Sequence, residues 1–276
     1  MFIDTQEILS FLTSEDFIGQ SVAVLGIKGS GKSNTAAVLM EELLTAGVPI
    51  LVVDIAGEYY TLRDKFEQVT VVGRSIDAEV QVVITQNNVH KVAATAYGNG
   101  RSVVLDVSGV PSEARDDILW EYFGEVWRQS ARLRIPLVIF LEEAHNWMPQ
   151  VGRSPLKDTL INIATEGRKR GLSLVQIGQR STRIAKDTLT QADVAFLHKV
   201  RHPTDMRVYM ELIPRPPRWV KERINSLKSG EAVVLVRDKV LRCQMRLRHT
   251  SHPGSTPTMA NIPAQQLSLL ELLDTI

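Results

Sequence analysis

The sequence predicts a three-layer α/β fold around a mostly parallel sheet, and three observations carry the prediction. Apolar, β-branched runs recur at 21–26, 49–54, 68–72, 80–84, 102–107, 136–142, 172–178 and 193–200. Several are continuous rather than alternating, as in strands buried on both faces. Helical patterns lie between many of them, at 32–46, 112–134, 156–170 and 203–212, and such alternation marks a parallel sheet covered by helices. Finally, a glycine-rich turn joins the first run directly to the first helix.

Each element has its own justification. Segment 60–100 departs from the alternation, with two short strands and a helix near 86–96, and reads as an embellishment at one sheet edge. Pro214-Arg215-Pro216-Pro217 breaks the chain before a helix at 218–227. Glu231–Val236 and Val240–Leu247 read as a hairpin around Arg237-Asp238-Lys239. Residues 1–252 therefore form one domain. Residues 253–276 form a tail whose Leu267, Leu269, Leu270, Leu272 and Leu273 suggest a short helix.

The 276 residues, 44% hydrophobic and 23% charged, suffice for a large core without staples. A single cysteine, Cys243, excludes an intrachain disulfide and a Cys-rich metal site. It fits a reducing compartment, and a cytoplasmic location is expected. The N-terminus lacks the basic region and apolar run of a signal peptide. No stretch approaches the ~18 apolar residues of a membrane span, so no membrane partner is expected. The charge is polarised. Residues 1–150 hold 11 Lys/Arg against 20 Asp/Glu, and residues 151–252 hold 21 against 9. A basic second half points to a polyanion, or to an acidic face meeting a basic one between subunits.

The glycine-rich turn is Gly26-Ile27-Lys28-Gly29-Ser30-Gly31-Lys32-Ser33, and it is expected to bind the nucleotide together with the following Asn34. Glycines let successive N–H groups curl inward at phosphate oxygens, and the following helix adds unpaired donors at its positive end. Lys32 is expected at the β- and γ-phosphates and the Ser33 hydroxyl on Mg²⁺. Such a loop needs an acidic partner at a strand end. Run 136–141 supplies it, ending in Glu142-Glu143. Strand alternation would send the two carboxylates to different faces. Glu142 is assigned to Mg²⁺ and Glu143 to the attacking water.

Asp54-Ile55-Ala56-Gly57 matches a regulatory GTPase switch, but no asparagine in the chain precedes a lysine, so the guanine reader N-K-x-D is absent. Asp54 is read instead as a second acidic strand end near the nucleotide. After run 172–178, Gln179 sits where it can sense a γ-phosphate. Before that run, Arg168-Lys169-Arg170 either complements a helix dipole or offers an arginine finger to a neighbour's ATP.

Together these residues resemble the HerA/FtsK superfamily of ring ATPases, closest to HerA-type proteins. The resemblance rests on the phosphate loop, V-V-D-I-A-G-E-Y (Val52 to Tyr59), L-E-E-A-H-N (Leu141 to Asn146), G-R-K-R-G-L (Gly167 to Leu172) and G-Q-R (Gly178 to Arg180). It covers roughly residues 15–255. It implies a RecA-like P-loop NTPase fold of the additional-strand, catalytic-glutamate type. It also implies a hexameric ring that pumps double-stranded DNA, with ATP and Mg²⁺ as cofactors. On that pattern Glu143 is the catalytic glutamate, Gln179 the strand-tip sensor and Arg168 the trans finger. Asp54 and Glu58 lie near the nucleotide and the subunit boundary. A nuclease partner is common in the family.

Two departures stand out. Ile55-Ala56 replaces the usual Pro-His. Barely twenty residues precede the first strand, so the family's N-terminal β-barrel is expected to be missing, which brings nuclease docking into question. DNA would be gripped through phosphates by Arg153, Arg183 and Lys186, on loops that follow the catalytic strands. Trp147 is expected to pack under its own loop. Arg242, Arg246 and Arg248 are expected on one face of a strand at 240–248. An ATP-gated scaffold that recruits an effector is the main alternative, and a small-molecule kinase a lesser one.

Overall fold

The computed structural model describes residues 2–3, 18–74, 79–236 and 239–253. The tail helix expected within 253–276, and the hairpin turn at 237–238, lie outside the described residues. The strands are β1 (Phe2–Ile3), β2 (Ser21–Leu25), β3 (Ile50–Asp54), β4 (Val69–Gly73), β5 (Val82–Val83) and β6 (Ser102–Asp106). They continue with β7 (Leu137–Leu141), β8 (Leu172–Gly178), β9 (Val194–Leu197), β10 (Glu231–Val236) and β11 (Lys239–Gln244). The helices are α1 (Lys32–Thr45), α2 (Val89–Gly98), α3 (Ser112–Leu133), α4 (Pro155–Glu166), α5 (Lys186–Leu189), α6 (Pro203–Leu212) and α7 (Arg218–Arg223).

One sheet runs in the order β1-β11-β10-β9-β2-β8-β7-β3-β6-β4-β5. Its pairs are parallel except β9–β10 and β10–β11. Segment 60–100 contributes β4 and β5 at one end. The α/β class and mostly parallel sheet are those the apolar runs predict. The central strands are buried throughout, which is why they read as continuous apolar runs.

Alternation along those strands divides the interior into two cores. Val22, Val24, Val52 and Val138 pack with α1 residues such as Leu39 and Met40. Ala23, Leu25, Leu51, Val53 and Ile139 pack on the other side with Tyr97, Leu119, Phe123 and Leu160, from α2, α3 and α4. The two faces of the sheet are therefore covered by different helices.

β8 lies between β2 and β7. Leu25 is in register with Gly178, and Leu141 with Gln176. Residues that follow β2, β7 and β8 thus leave the sheet at the same end. Helix 156–170 is shorter than its pattern predicts, ending at Glu166 and giving way to a 3₁₀ turn over Gly167–Arg170. The turn requires glycine at its start: a side chain at Gly167 would come within 2.8 Å of the Leu172 carbonyl.

The three C-terminal arginines do not share a strand face, because β11 stops at Gln244. Arg242 pairs with Glu231 at 2.9 Å. Beyond β11 the chain crosses α1 as a strap. Arg246 pairs with Glu41 and Glu42, each at 2.8 Å. Glu41 Oε1 accepts His249 N, Thr250 N and Thr250 Oγ1 at 2.7, 2.8 and 2.9 Å. Burial pushes the Glu41 carboxyl up, but these donors and Arg246 hold it below the usual range. Arg248 reaches Thr61 Oγ1 at 3.2 Å and stands 5.9 Å from the Tyr59 ring centre.

Replacing Arg246 with alanine leaves a buried carboxylate without its countercharge. It should cost about 3 kcal/mol of unfolding free energy in urea titrations. An effect within the ±0.5 kcal/mol typical of surface changes, roughly, would show that the strap is not clamped to α1.

Candidate nucleotide site

The phosphate loop leaves β2 and is pinned by distant backbone. Gly26 N donates to Gly178 O at 3.2 Å, Ile27 N to Lys199 O at 3.0 Å, and Gly230 N to Ser30 O at 2.9 Å. Gly31 adopts φ 103°, and a Cβ there would meet Gly230 N at 2.6 Å, so both conformation and space require glycine. Gly31 caps α1 with no side-chain bond and no acid in the first turn. The first N–H groups of α1 are therefore left for an anion.

Lys32 is buried within the loop, with Nζ donating to Ile27 O at 3.0 Å. Burial lowers its ammonium to about 8, against the attraction of Glu143, Glu142 and Glu58. Ser33 is half-buried and the tip residues Lys28 and Gly29 are exposed, whereas Ser30 is buried. Asn34 is engaged elsewhere. Its amide donates to Arg246 O at 2.7 Å and accepts from Arg248 N at 2.9 Å, tying the strap to the first turn of α1.

The carboxylates converge from neighbouring strands. Asp54 is fully buried and organises the loop after β3. Its Oδ1 accepts Ala56 N and Gly57 N at 3.1 and 2.8 Å, and its Oδ2 accepts Tyr59 N at 2.8 Å. Glu142 lies against it and accepts Ile55 N at 3.3 Å. Burial, then the negative charges of Asp54 and Glu58, push Glu142 up to about 9. Asp54 is also raised, chiefly by burial. The proton of the pair rests on Glu142, because Asp54 already accepts three backbone donors.

Glu143 is not separated from Glu142 by strand alternation. β7 ends at Leu141, and Glu143 turns into a left-handed conformation at φ 45°. Its Oε1 accepts Gln179 Nε2 at 2.5 Å, and its Oε2 stands 3.3 Å from His145 Nδ1. Burial pushes Glu143 up, but His145, Gln179 and the charge of Lys32 bring it below the usual carboxylate range. One carboxyl is thus neutral and its chain neighbour ionised. The geometry brings together Lys32, Glu142, Glu143 and Gln179. Trp147 packs beneath its loop as expected, 3% exposed, and its Nε1 donates to Glu142 O at 2.9 Å.

Sequence reasoning missed His198. It follows β9 and is fully buried behind the loop. Nδ1 must donate to the Glu231 carbonyl, at 2.9 Å, so Nε2 accepts from Thr35 Oγ1 at 3.0 Å. A Cβ on Gly26 would come within 2.6 Å of His198 Cβ. Burial lowers the ring to about 4, so it stays neutral and holds α1 to the tip of β9. A lone histidine ending an apolar run gives no pattern to find it by.

Arg168 and Lys169 are exposed at the opposite end of the sheet from the phosphate loop. The six residue steps of β8 separate the two ends by about 20 Å. Arg170 is occupied, donating to Trp127 O at 2.9 Å and stacking 3.7 Å from the Trp127 ring centre. Arg153 and Arg183 are exposed. Lys186 pairs with Glu211 at 2.8 Å. The two loops are sewn together, with Gln150 N donating to Arg183 O at 2.7 Å and Ala185 N to Met148 O at 2.8 Å.

The raised Glu142 makes stability depend on pH in a defined direction. Between about 4.5 and about 9 the folded chain keeps a proton that the unfolded chain releases. That contribution is full below 4.5 and is lost as pH rises through the folded value. Glu142→Gln lacks it, so the wild type should lose stability relative to this variant from pH 5 to pH 9 in thermal melts. Parallel curves would contradict the protonated pair.

The family described as "Helicase HerA, central domain" matches residues 1–93. The DNA double-strand break repair helicase HerA of Sulfurisphaera tokodaii is 26% identical over 144 residues, covering 49% of this chain and 29% of that protein. The protein of the same description from Saccharolobus solfataricus is 20% identical over 305 residues, covering 78% and 61%. The chain therefore spans less than two thirds of these relatives. Among solved structures, the genome packaging NTPase B204 from Sulfolobus turreted icosahedral virus 2, in complex with AMP, superposes with a TM-score of 0.58. It is 18% identical and covers 82% of this chain and 98% of B204, a likeness of fold. Among the described residues no helix is long and apolar enough to cross a membrane. The loop and the carboxylates beside it thus stand in a P-loop NTPase fold, and the chain is similar to HerA helicases over part of its length.

Proposed function

We propose that this chain hydrolyses ATP and is a motor of the HerA/FtsK type that drives double-stranded DNA through a homohexameric ring. The observation that carries the reading is the bond between Gln179 and Glu143 on neighbouring strand tips, with Lys32 close enough to lower the Glu143 carboxyl. An ionised carboxylate held by a strand-tip amide beside a phosphate loop suits in-line hydrolysis.

In that reaction the loop N–H groups and the Lys32 ammonium bind the triphosphate. Glu143 accepts a proton from the attacking water, and Gln179 holds Glu143 and the water in register. Charge then develops on the ADP oxygen that leaves. The donor set fits a hard cation: a hydroxyl from Ser33 and a buried carboxyl from Glu142 whose proton an ion would displace. No group of three or more His, Cys, Asp or Glu suited to a metal occurs among the described residues. Ser33 and Glu142 would therefore hold Mg²⁺ jointly with phosphate oxygens. Bound there, the ion neutralises phosphate charge.

Arg168 stands too far from its own loop to act there, so its catalytic place is a neighbour's nucleotide. Arg153, Arg183 and Lys186 are the proposed DNA contacts. The names of the relatives support a DNA-handling role, as a repair helicase and a genome packaging NTPase.

ATP turnover should rise on adding duplex DNA, and the stimulation should fall steeply with salt. Glu143→Gln should lower turnover by about 10²–10⁴-fold while ATP still binds. Turnover indifferent to nucleic acid would overturn the motor reading. A variant that still assembles and recruits a nuclease at wild-type strength would favour the ATP-gated scaffold.

A further inference from the structure

Beside the tip of the phosphate loop lies a cleft of about 400 Å³. Three separated segments line it: Lys28 from the loop tip, Gln179, Arg180 and Arg183 from the turn after β8, and His202 and Asp205 at the start of α6. Lys28, Arg180, Arg183 and His202 are all exposed. Among the described residues the side chains of Lys28, Arg180 and Arg183 make no ion pair or hydrogen bond. Lys186 on the same loop differs, being neutralised by Glu211. The ring of His202 is held through Nδ1 by Thr204 N and Oγ1, at 3.3 and 2.7 Å, which leaves Nε2 for another partner. The cleft's acid, Asp205, is already engaged: Oδ1 accepts Ser181 Oγ at 2.8 Å and Thr182 N at 3.5 Å.

We infer that this cleft binds a phosphodiester of the DNA backbone, through Lys28, Arg180, Arg183 and His202. The inference rests on the motor reading and moves the grip from Lys186 to a place that touches the nucleotide site. Cations from separate segments facing one cavity, with the neighbouring carboxylate satisfied internally, match a phosphate and give no means to read a base. Lys28 belongs to the loop that holds the triphosphate, and Gln179 holds Glu143. A phosphate seated here therefore contacts the phosphate loop itself and the residue next to Gln179, and a change at the γ-phosphate reaches it without a long relay.

The test uses the full chain, a fluorescent duplex of random sequence, and the double variant Arg180→Ala, Arg183→Ala. Two lost phosphate contacts should weaken duplex binding at least about tenfold and make the log–log salt slope shallower by about two. The ATP KM without DNA should stay within twofold. The single variants Arg180→Ala and Arg183→Ala should each flatten the slope by about one, which keeps the test open if the double variant folds poorly. Wild-type duplex affinity and slope in folded variants would overturn this assignment and leave the motor reading standing. Failure of the wild type to bind duplex would overturn both. Loss of ATP affinity, or of subunit assembly, with unchanged duplex binding would assign the cleft to the nucleotide or to a neighbouring subunit and refute the proposal.

Discussion

The placement of β8 between β2 and β7 governs the chemistry of this molecule. β2 launches the phosphate loop, β7 delivers Glu142 and Glu143, and β8 sets Gln179 between them. Parallel pairing holds the three strand ends level, so the groups meet without a long loop. Because Gln179 bonds Glu143 while Lys32 attracts it, one carboxylate is kept ionised. Beside it, Glu142 is buried against Asp54 and keeps a proton. Environment alone thus shifts two adjacent glutamates in opposite directions.

The phosphate loop is local in sequence but not in support. Its backbone is tied to Gly178, Lys199 and Gly230, and its helix to His198 and to the strap at 246–250. These contacts come from residues more than 140 positions away. They explain why Gly31 faces Gly230 at a distance no side chain permits. Such support fixes the first turn of α1, where the anion-binding N–H groups lie.

Much of the fold was legible because buried parallel strands leave continuous apolar runs, and β8 and α6 match their predicted limits. Lys32, Glu142, Glu143 and Gln179 were legible because loop and strand-end chemistry is written in short motifs. Contacts between distant segments were not. His198 carries no neighbouring signal, Asn34 reads as a nucleotide contact until the strap claims its amide, and Arg246 reads as a strand cation until β11 ends early. The roles of Glu142 and Glu143 were assigned on strand alternation, whereas a left-handed turn at Glu143 is what parts them. Local pattern carries no information about which distant backbone will supply a hydrogen bond.

Arg168 is exposed about 20 Å from its own phosphate loop, so the proposed finger role requires another copy of the chain. The proposed ring depends on that geometry. The most direct measurement is the mass in solution with a slowly hydrolysed ATP analogue, with and without duplex DNA. The account predicts a hexamer when nucleotide and duplex are present. A chain that remains monomeric with both would contradict it.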